Sequence, residues 1–407
     1  MIAYRCRTLV TMEDEPIVDG AFVVDGNRFV QVGSARSILR GHTGETVDLG
    51  DVVVLPGLIN AHCHLDYTLL RGTILPAHSF SQWVGRINAL KRSLTDGDYL
   101  KSMLQGFSEL QKYGVTTVLD IVANPQVFPL LPKPSIRAWL FLELIDVRPR
   151  PWIDENAFGS WLFFSDHRDW LGGFGLSPHA PYTASVELYQ LSLECFRKFR
   201  MPITTHLAES KEEFEMFVDA QGELYQFLKS IGRSMDDCGI GTPLRHLAEN
   251  GLIDSNCIVA HLNEIDALDL ELLASPKWRG LQIVHCPKSH QFLHHNRFPL
   301  EALRDRGLNV SLGTDSLASN DSLNLFSEMQ TMRRNYPMLN PRELLEMTTV
   351  CPAQALRQQD SLGKIASGYL ADAISLPFSN SLDEVYEAIL ENRNPIEWIM
   401  VNGKLCG

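Results

Sequence analysis

At 407 residues with 45% hydrophobic content, the chain is long enough for one large α/β domain and a smaller module around a full core. A formal net charge of −13 lacks the basic footprint that a phosphate backbone requires, which argues against nucleic acid as a partner. Eight cysteines with no CxxC pair and no compact spacing read as reduced thiols, and no apolar run approaches the length of a membrane span.

The first twenty residues carry acids where a secretory leader needs an apolar core, so a cytoplasmic protein is expected. Residues 4–10 and 21–33 alternate in the manner of strands, and Asp25-Gly26-Asn27 between two such runs reads as a hairpin turn. The far end repeats the style at 371–376 and 396–404. Neither end holds enough strands to stand alone, so residues 1–55 and 362–407 are expected to pair into one small composite β-sandwich domain. Two unrelated appendages are the alternative.

Between the ends the period changes. The apolar, β-branched run from Val52 to His64, VVVLPGLINAHCH, reads as one buried strand. Strand-like runs follow at 115–121, 136–144, 174–177, 203–206, 257–261, 281–285 and 308–313. Helical stretches stand at 99–112, 186–199, 212–231, 267–273, 300–306, 323–334 and 342–356. Eight strands alternating with helices are the pattern of a (β/α)8 TIM barrel over residues 56–361. A doubly wound open sheet competes. It is disfavoured because no GxGxxG follows the first strand, and because the candidate ligands come from strands that an open sheet holds far apart.

The chemistry sits at the C-terminal ends of these strands. Residues two apart on a strand point the same way, so His62 and His64 leave the first strand together as half of a metal site. Chance surface histidines are the bland alternative for HxH alone. His206, His261 and Asp315 also close short β-rich runs, and separate strand ends converging on one mouth is how a parallel barrel builds a site. Glu209, three residues after His206, is placed to reach a metal-activated water without coordinating. A solvated Glu opening a helix also produces such a string, and an Asp after a strand is often an N-cap.

The strings PGLINAHCHL, SPHAPYT, HLAES, VAH, VHCPKSH and LGTDSLASN, in that order, resemble the amidohydrolase superfamily, specifically its chlorohydrolase and deaminase branch. The resemblance covers the whole chain and implies a barrel wrapped by a composite sandwich. It implies that His62, His64, His206 and Asp315 hold one divalent metal, that Glu209 shuttles protons and that His261 orients the water or the attacked centre. Three imidazoles and one carboxylate suit Zn²⁺ first and Fe²⁺ second. Binuclear members of that superfamily bridge two metals with a modified Lys, and this chain has no Lys between Lys133 and Lys198, which implies a single ion. The implied activity is hydrolysis of a C–N bond other than a peptide bond, by attack of activated water on an amino-bearing ring carbon with Asp315 and Glu209 managing the protons.

Substrate contacts are less defined. His179 and Tyr182 in SPHAPYT resemble the segment that meets the sugar in adenosine-type deaminases, although His179 also reads as satisfying a neighbouring carbonyl. Trp83, placed in the loop region after the first strand, reads equally as a stacking platform or a core residue. Arg71, Arg148, Lys288 and His290 lie near strand ends with Ser289 among them; Arg148, Ser289 and His290 are carried as candidate contacts against the commoner reading of solvated polar groups. The combination HCHLDY, SFSQW and HCPKSHQF looks closer to enzymes deaminating 6-amino-6-deoxyfutalosine, an adenine nucleoside of menaquinone synthesis, than to methylthioadenosine or S-adenosylhomocysteine deaminases. Asp66 departs from it, since those sequences tend to carry Glu there. A chlorohydrolase, a guanine- or cytosine-type deaminase and a non-catalytic binding barrel stay open. The expected partner is a small-molecule substrate, with a homodimer as the candidate assembly and no membrane.

Overall fold

The computed structural model describes residues 1–147 and 169–406. The chain opens with β1 (Ile2–Leu9), β2 (Ile17–Asp25), β3 (Arg28–Ser34), β4 (Glu45–Asp48) and β5 (Val52–Pro56). It closes with β15 (Ala373–Pro377), β16 (Trp398–Val401) and β17 (Lys404–Leu405). These eight strands form one sheet in the order β17-β16-β15-β5-β1-β2-β3, with β4 beside β1. The seam between the two ends is the antiparallel pair of β5 with β15, from Val52 opposite Pro377 to Pro56 opposite Ala373. Phe22 centres its apolar face, with ring centroids 5.3 Å from Tyr4 and 5.4 Å from Phe29.

The run from Val52 to His64 is two strands, not one. β5 belongs to the terminal sheet, and β6 (Leu58–His64) pairs with β7 (Val115–Val122) in a parallel sheet. The break falls at Gly57. A Cβ there would come 2.2 Å from the Thr116 side chain, so only glycine allows the chain to cross between the sheets at this point. An unbroken apolar run hides such a switch, because periodicity reports burial and not partner.

The remaining strands are β8 (Arg137–Leu144), β9 (Gly172–Pro178), β10 (Thr204–Leu207), β11 (Ile258–His261), β12 (Gln282–His285), β13 (Asn309–Leu312) and β14 (Asp315–Ser316). All their pairings are parallel: β14-β6-β7-β8-β9 in one sheet and β10-β11-β12-β13 in the other. A parallel bridge between Leu176 and Ile203 joins β9 to the segment entering β10, and Gly313 and Thr314 carry β13 into β14. Gly313 is obligatory, since a Cβ would stand 2.7 Å from the His62 carbonyl oxygen. Strands buried on both faces, as β6, β7 and β11 are, read as continuous apolar runs.

Two helices expected from periodicity divide. The stretch 212–231 is Lys211–Asp219 followed by Glu223–Ser230, interrupted where Ala220 (φ 52°) and Gly222 (φ 99°) turn left-handed. The stretch 342–356 is Pro341–Glu346 followed by Val350–Ala355. A helix not expected, Phe80–Lys91, starts where the Ser79 hydroxyl accepts from the Gln82 amide, and it carries Trp83.

A buried ion pair ties the parallel strands to the terminal sheet. Arg137 at the start of β8 donates to Asp372, with Nη2 to Oδ2 at 3.2 Å and exposures of 8% and 5%, and the Asn402 amide donates to Oδ1 at 2.6 Å. Removing one partner strands the other charge out of water. Arg137→Met is expected to destabilise the protein by about 3–5 kcal/mol, read as a lowered urea midpoint, and Arg137→Met/Asp372→Leu to recover part of it.

Candidate metal centre

His62 and His64 end β6, His206 lies in β10, His261 ends β11, and Asp315 opens β14. Because neighbouring parallel strands stop at the same level, their last side chains meet. The His62 ring centroid lies 5.1 Å from His64, 4.9 Å from His206 and 5.5 Å from His261. The Nε2 atoms of His64 and His206 are 3.2 Å apart. Asp315 Oδ1 lies 3.8 Å from the Nε2 of both His62 and His64. Ligand atoms of His62, His64 and His206 all fall within 4.8 Å of one another, as do those of Glu209, His261 and Asp315.

These donors fit a divalent ion on three counts. Among the described residues, His62 Nε2 and His261 Nε2 are buried with no hydrogen-bond partner, a costly condition that an ion or its water relieves. Burial holds the imidazoles of His62, His64 and His261 well below their ordinary pKa, so they are neutral and offer lone pairs. Two ligands of one tetrahedral ion at about 2.0–2.1 Å stand about 3.3 Å apart, close to the separation between His64 and His206.

The surrounding groups fix these ligands. His206 Nδ1 lies 2.8 Å from the His179 carbonyl, which selects the tautomer that leaves Nε2 free. Asp315 Oδ2 accepts from the Ser289 hydroxyl at 2.6 Å, and Oδ1 accepts from the Ser316 amide at 2.7 Å. Asp315 (φ 58°) and His261 (φ 74°) are held left-handed, a conformation that costs a non-glycine residue and that clusters at functional sites.

Glu209 stands over the ligand set. Its Oε1 lies 3.7 Å from His261 Nε2 and 3.8 Å from His295 Nε2. The turn that carries it is clamped: Glu213 accepts from the Ala208 and Glu209 amides, and Asn263 donates to the Glu209 carbonyl. Burial pushes the Glu209 carboxyl up to about 8, so it readily holds a proton.

A cavity of about 550 Å³ opens over this centre, with His64, His206, Glu209, His261 and Asp315 at its floor. His179, Tyr182 and Trp83 line it; the indole of Trp83 stacks on Phe80 at 5.8 Å. Ser289 and His290, expected as substrate contacts, are not on this wall. The short helix Pro287–Phe292 turns Ser289 toward Asp315, and His290 faces a separate hollow with His285 and His295. Arg148 lies outside the described residues. Asp66 is fully buried, accepts from the Ala123 amide at 2.9 Å and is absent from the cavity lining.

Sequence reasoning missed Glu143, Lys91, Tyr67 and His295. Glu143 was available: an acid near the end of the apolar run LFLEL obeys the same strand-end logic as the histidines. Lys91 and Tyr67 enter through the uncalled helix and the turn after β6. His295, beyond the helix Pro287–Phe292, carries no local signal.

The Amidohydrolase family model matches residues 53–406. The 5-methylthioadenosine/S-adenosylhomocysteine deaminase of Pyrococcus furiosus is 30% identical over 384 residues, spanning 91% of this chain and 84% of that protein. Its namesake in Syntrophobacter fumaroxidans is 32% identical over 375 residues, 88% and 80% of the two chains. Among solved structures, Helicobacter pylori aminofutalosine deaminase in complex with methylthio-coformycin superposes with a TM-score of 0.89 at 21% identity, covering 100% of both chains. An adenosine deaminase from Xanthomonas campestris with bound zinc gives 0.83 at 24% identity, covering 99% and 92%.

Proposed function

The chain belongs to the amidohydrolase family and is a hydrolase of C–N bonds other than peptide bonds, and from that premise we propose that it deaminates a 6-aminopurine nucleoside bearing an acidic substituent. The observation that carries this reading is geometric: the Glu209 carboxyl, 5% exposed, lines the cavity with its oxygen within 4.8 Å of ligand atoms of His261 and Asp315. The fold is read as a (β/α)8 barrel over 56–361 with a composite β-sandwich from 1–55 and 362–407. The pairing of β14 back onto β6 and the bridge from β9 toward β10 support it.

His62, His64, His206 and Asp315 would hold one divalent ion, Zn²⁺ before Fe²⁺, whose contribution when bound is to lower the pKa of water toward about 7. Asp315, its Oδ2 already taken by Ser289, presents Oδ1 toward the histidines. Glu209 would pass one water proton to the ring nitrogen beside the attacked carbon; the second, released as the new carbonyl forms, would travel through Asp315 and Glu209 to the amine, so that the C–N bond breaks and ammonia leaves. His261 Nε2, beside Glu209, orients the attacked centre. Tyr182, Trp83 and Phe80 exclude water around a flat base.

Lys91 and Arg92 lie on the same cavity wall, at the C-terminal end of the helix that carries Trp83. Among the described residues neither makes an ion pair, and Lys91 Nζ rests 4.6 Å from the Tyr67 ring centroid. Two cations without an ion pair among the described residues support an anionic group on the substrate, as S-adenosylhomocysteine and 6-amino-6-deoxyfutalosine carry. The second of these would place the enzyme in menaquinone synthesis. A cytoplasmic setting agrees with eight free cysteines, and no helix among the described residues is long and apolar enough to cross a membrane.

The test is ammonia release from a panel of 6-aminopurine nucleosides, with guanine, cytosine and a chlorotriazine alongside. A carboxylate-bearing nucleoside is expected to exceed adenosine at least tenfold in kcat/KM. Metal-loaded protein that dechlorinates the triazine, or that releases ammonia only from a free base, would overturn the reading.

A further inference from the structure

Glu143, the penultimate residue of β8, lines the substrate cavity while being only 4% exposed. Among the described residues no hydrogen bond reaches its carboxylate. The nearest polar group is Nε2 of His179, 4.0 Å from Oε1, and that ring is already engaged at Nδ1 by the Thr183 hydroxyl at 2.6 Å. The His179 ring in turn lies 4.7 Å from the ring of His206. Glu143 therefore stands one imidazole beyond the ligand cluster, on the same cavity lining.

A carboxylate accepts and never donates, and it tolerates burial only when donors or water satisfy it. Water fills an open cavity. A substrate that displaces the water must supply donors in its place or leave the carboxylate dehydrated. Two adjacent hydroxyls match two carboxylate oxygens, and such charge-assisted bonds are roughly twice as strong as neutral ones.

We propose that Glu143 selects ribosyl substrates by accepting both vicinal hydroxyls of the sugar on its carboxylate, a role that rests on the deaminase reading above. It is a specificity-determining residue, set apart from the proton chemistry of Glu209. The acid also differs in kind from Lys91 and Arg92, which meet an anion on the same wall.

The experiment compares kcat/KM for adenosine and 2′,3′-dideoxyadenosine in the wild-type protein, Glu143→Gln and Glu143→Ala. Sites built to bind a substrate hydroxyl reject analogues lacking it by about 10⁴-fold or more, so a wild-type preference of at least about 10³ is expected. In both variants the preference should fall below tenfold, through loss on adenosine with the dideoxy substrate unchanged. A role confined to holding His179 would lower both substrates together and leave the ratio intact. A ratio kept within threefold of wild type, or a wild-type ratio near one, would overturn the proposal. Calorimetric binding of inosine and 2′,3′-dideoxyinosine to the same proteins needs no turnover. Inosine binding that depends on Glu143, in a protein that releases no ammonia, would refute the deaminase reading and leave this proposal standing.

Discussion

Glu209→Gln is expected to lower kcat by about 10³-fold or more while the protein retains one divalent ion per chain. The amide matches the carboxyl in shape, so the clamp around the turn stays: Glu213 still accepts from the Ala208 and Glu209 amides, and Asn263 still holds the Glu209 carbonyl. What is lost is a titrating oxygen. Oε1 makes no hydrogen bond to His261 or His295, which stand 3.7 and 3.8 Å away, so no structural bond breaks. The chemistry needs a group that takes a proton from water and returns it to nitrogen, and Gln does neither. Metal content by plasma mass spectrometry and steady-state kinetics on the preferred nucleoside separate the two effects. KM should change little, because a proton moved only in the transition state is not part of ground-state binding. Full turnover with metal in place would remove Glu209 from proton transfer.

The residues that proved legible in the sequence share one property: each closes a short apolar run, so a one-dimensional pattern reports a three-dimensional neighbourhood. His62, His64, His206, His261 and Asp315 were readable for that reason, and their rings and carboxylate do converge. Glu143 also closes an apolar run, LFLEL, but a carboxylate there carries no HxH-like spacing to mark it. Gly57 was not readable, since its requirement comes from Thr116 across the sheet, a contact with no local trace. Ser289 shows the opposite error. Proximity to a strand end suggests substrate, but the helical turn begun at Pro287 aims its hydroxyl at Asp315, to which it donates at 2.6 Å. Trp83 reaches the cavity through a helix whose first amides are held by the Ser79 hydroxyl and by the Glu212 carboxylate, the second a contact with no local trace in the sequence.

His62→Ala is expected to empty the site, leaving less than a tenth of an equivalent of metal and no measurable ammonia release, where one equivalent is expected in the wild-type protein. His62 is 1% exposed, and its Nε2 has no other partner to justify burying an imidazole there. With the ring gone, His64 and His206 still face each other at 3.2 Å, but Asp315 Oδ1 loses one of the two imidazoles that stand 3.8 Å from it. An ion left with two imidazoles and one carboxylate has lost one of its four proposed donors, and only water can fill the vacated position. Chelation followed by Zn²⁺ should restore the wild-type protein and not the variant. The stoichiometry discriminates further. Glu209, His261 and Asp315 form a second trio within 4.8 Å, the arrangement from which a second ion would be held. The superfamily resemblance implies a modified lysine bridging such a pair of ions, and the chain has no lysine between Lys133 and Lys198. One equivalent in the wild-type protein, falling to none in His62→Ala, fits a single centre with Glu209 outside it. Two equivalents, or a variant that keeps its ion, would place Glu209 among the ligands and remove it from the role of acid.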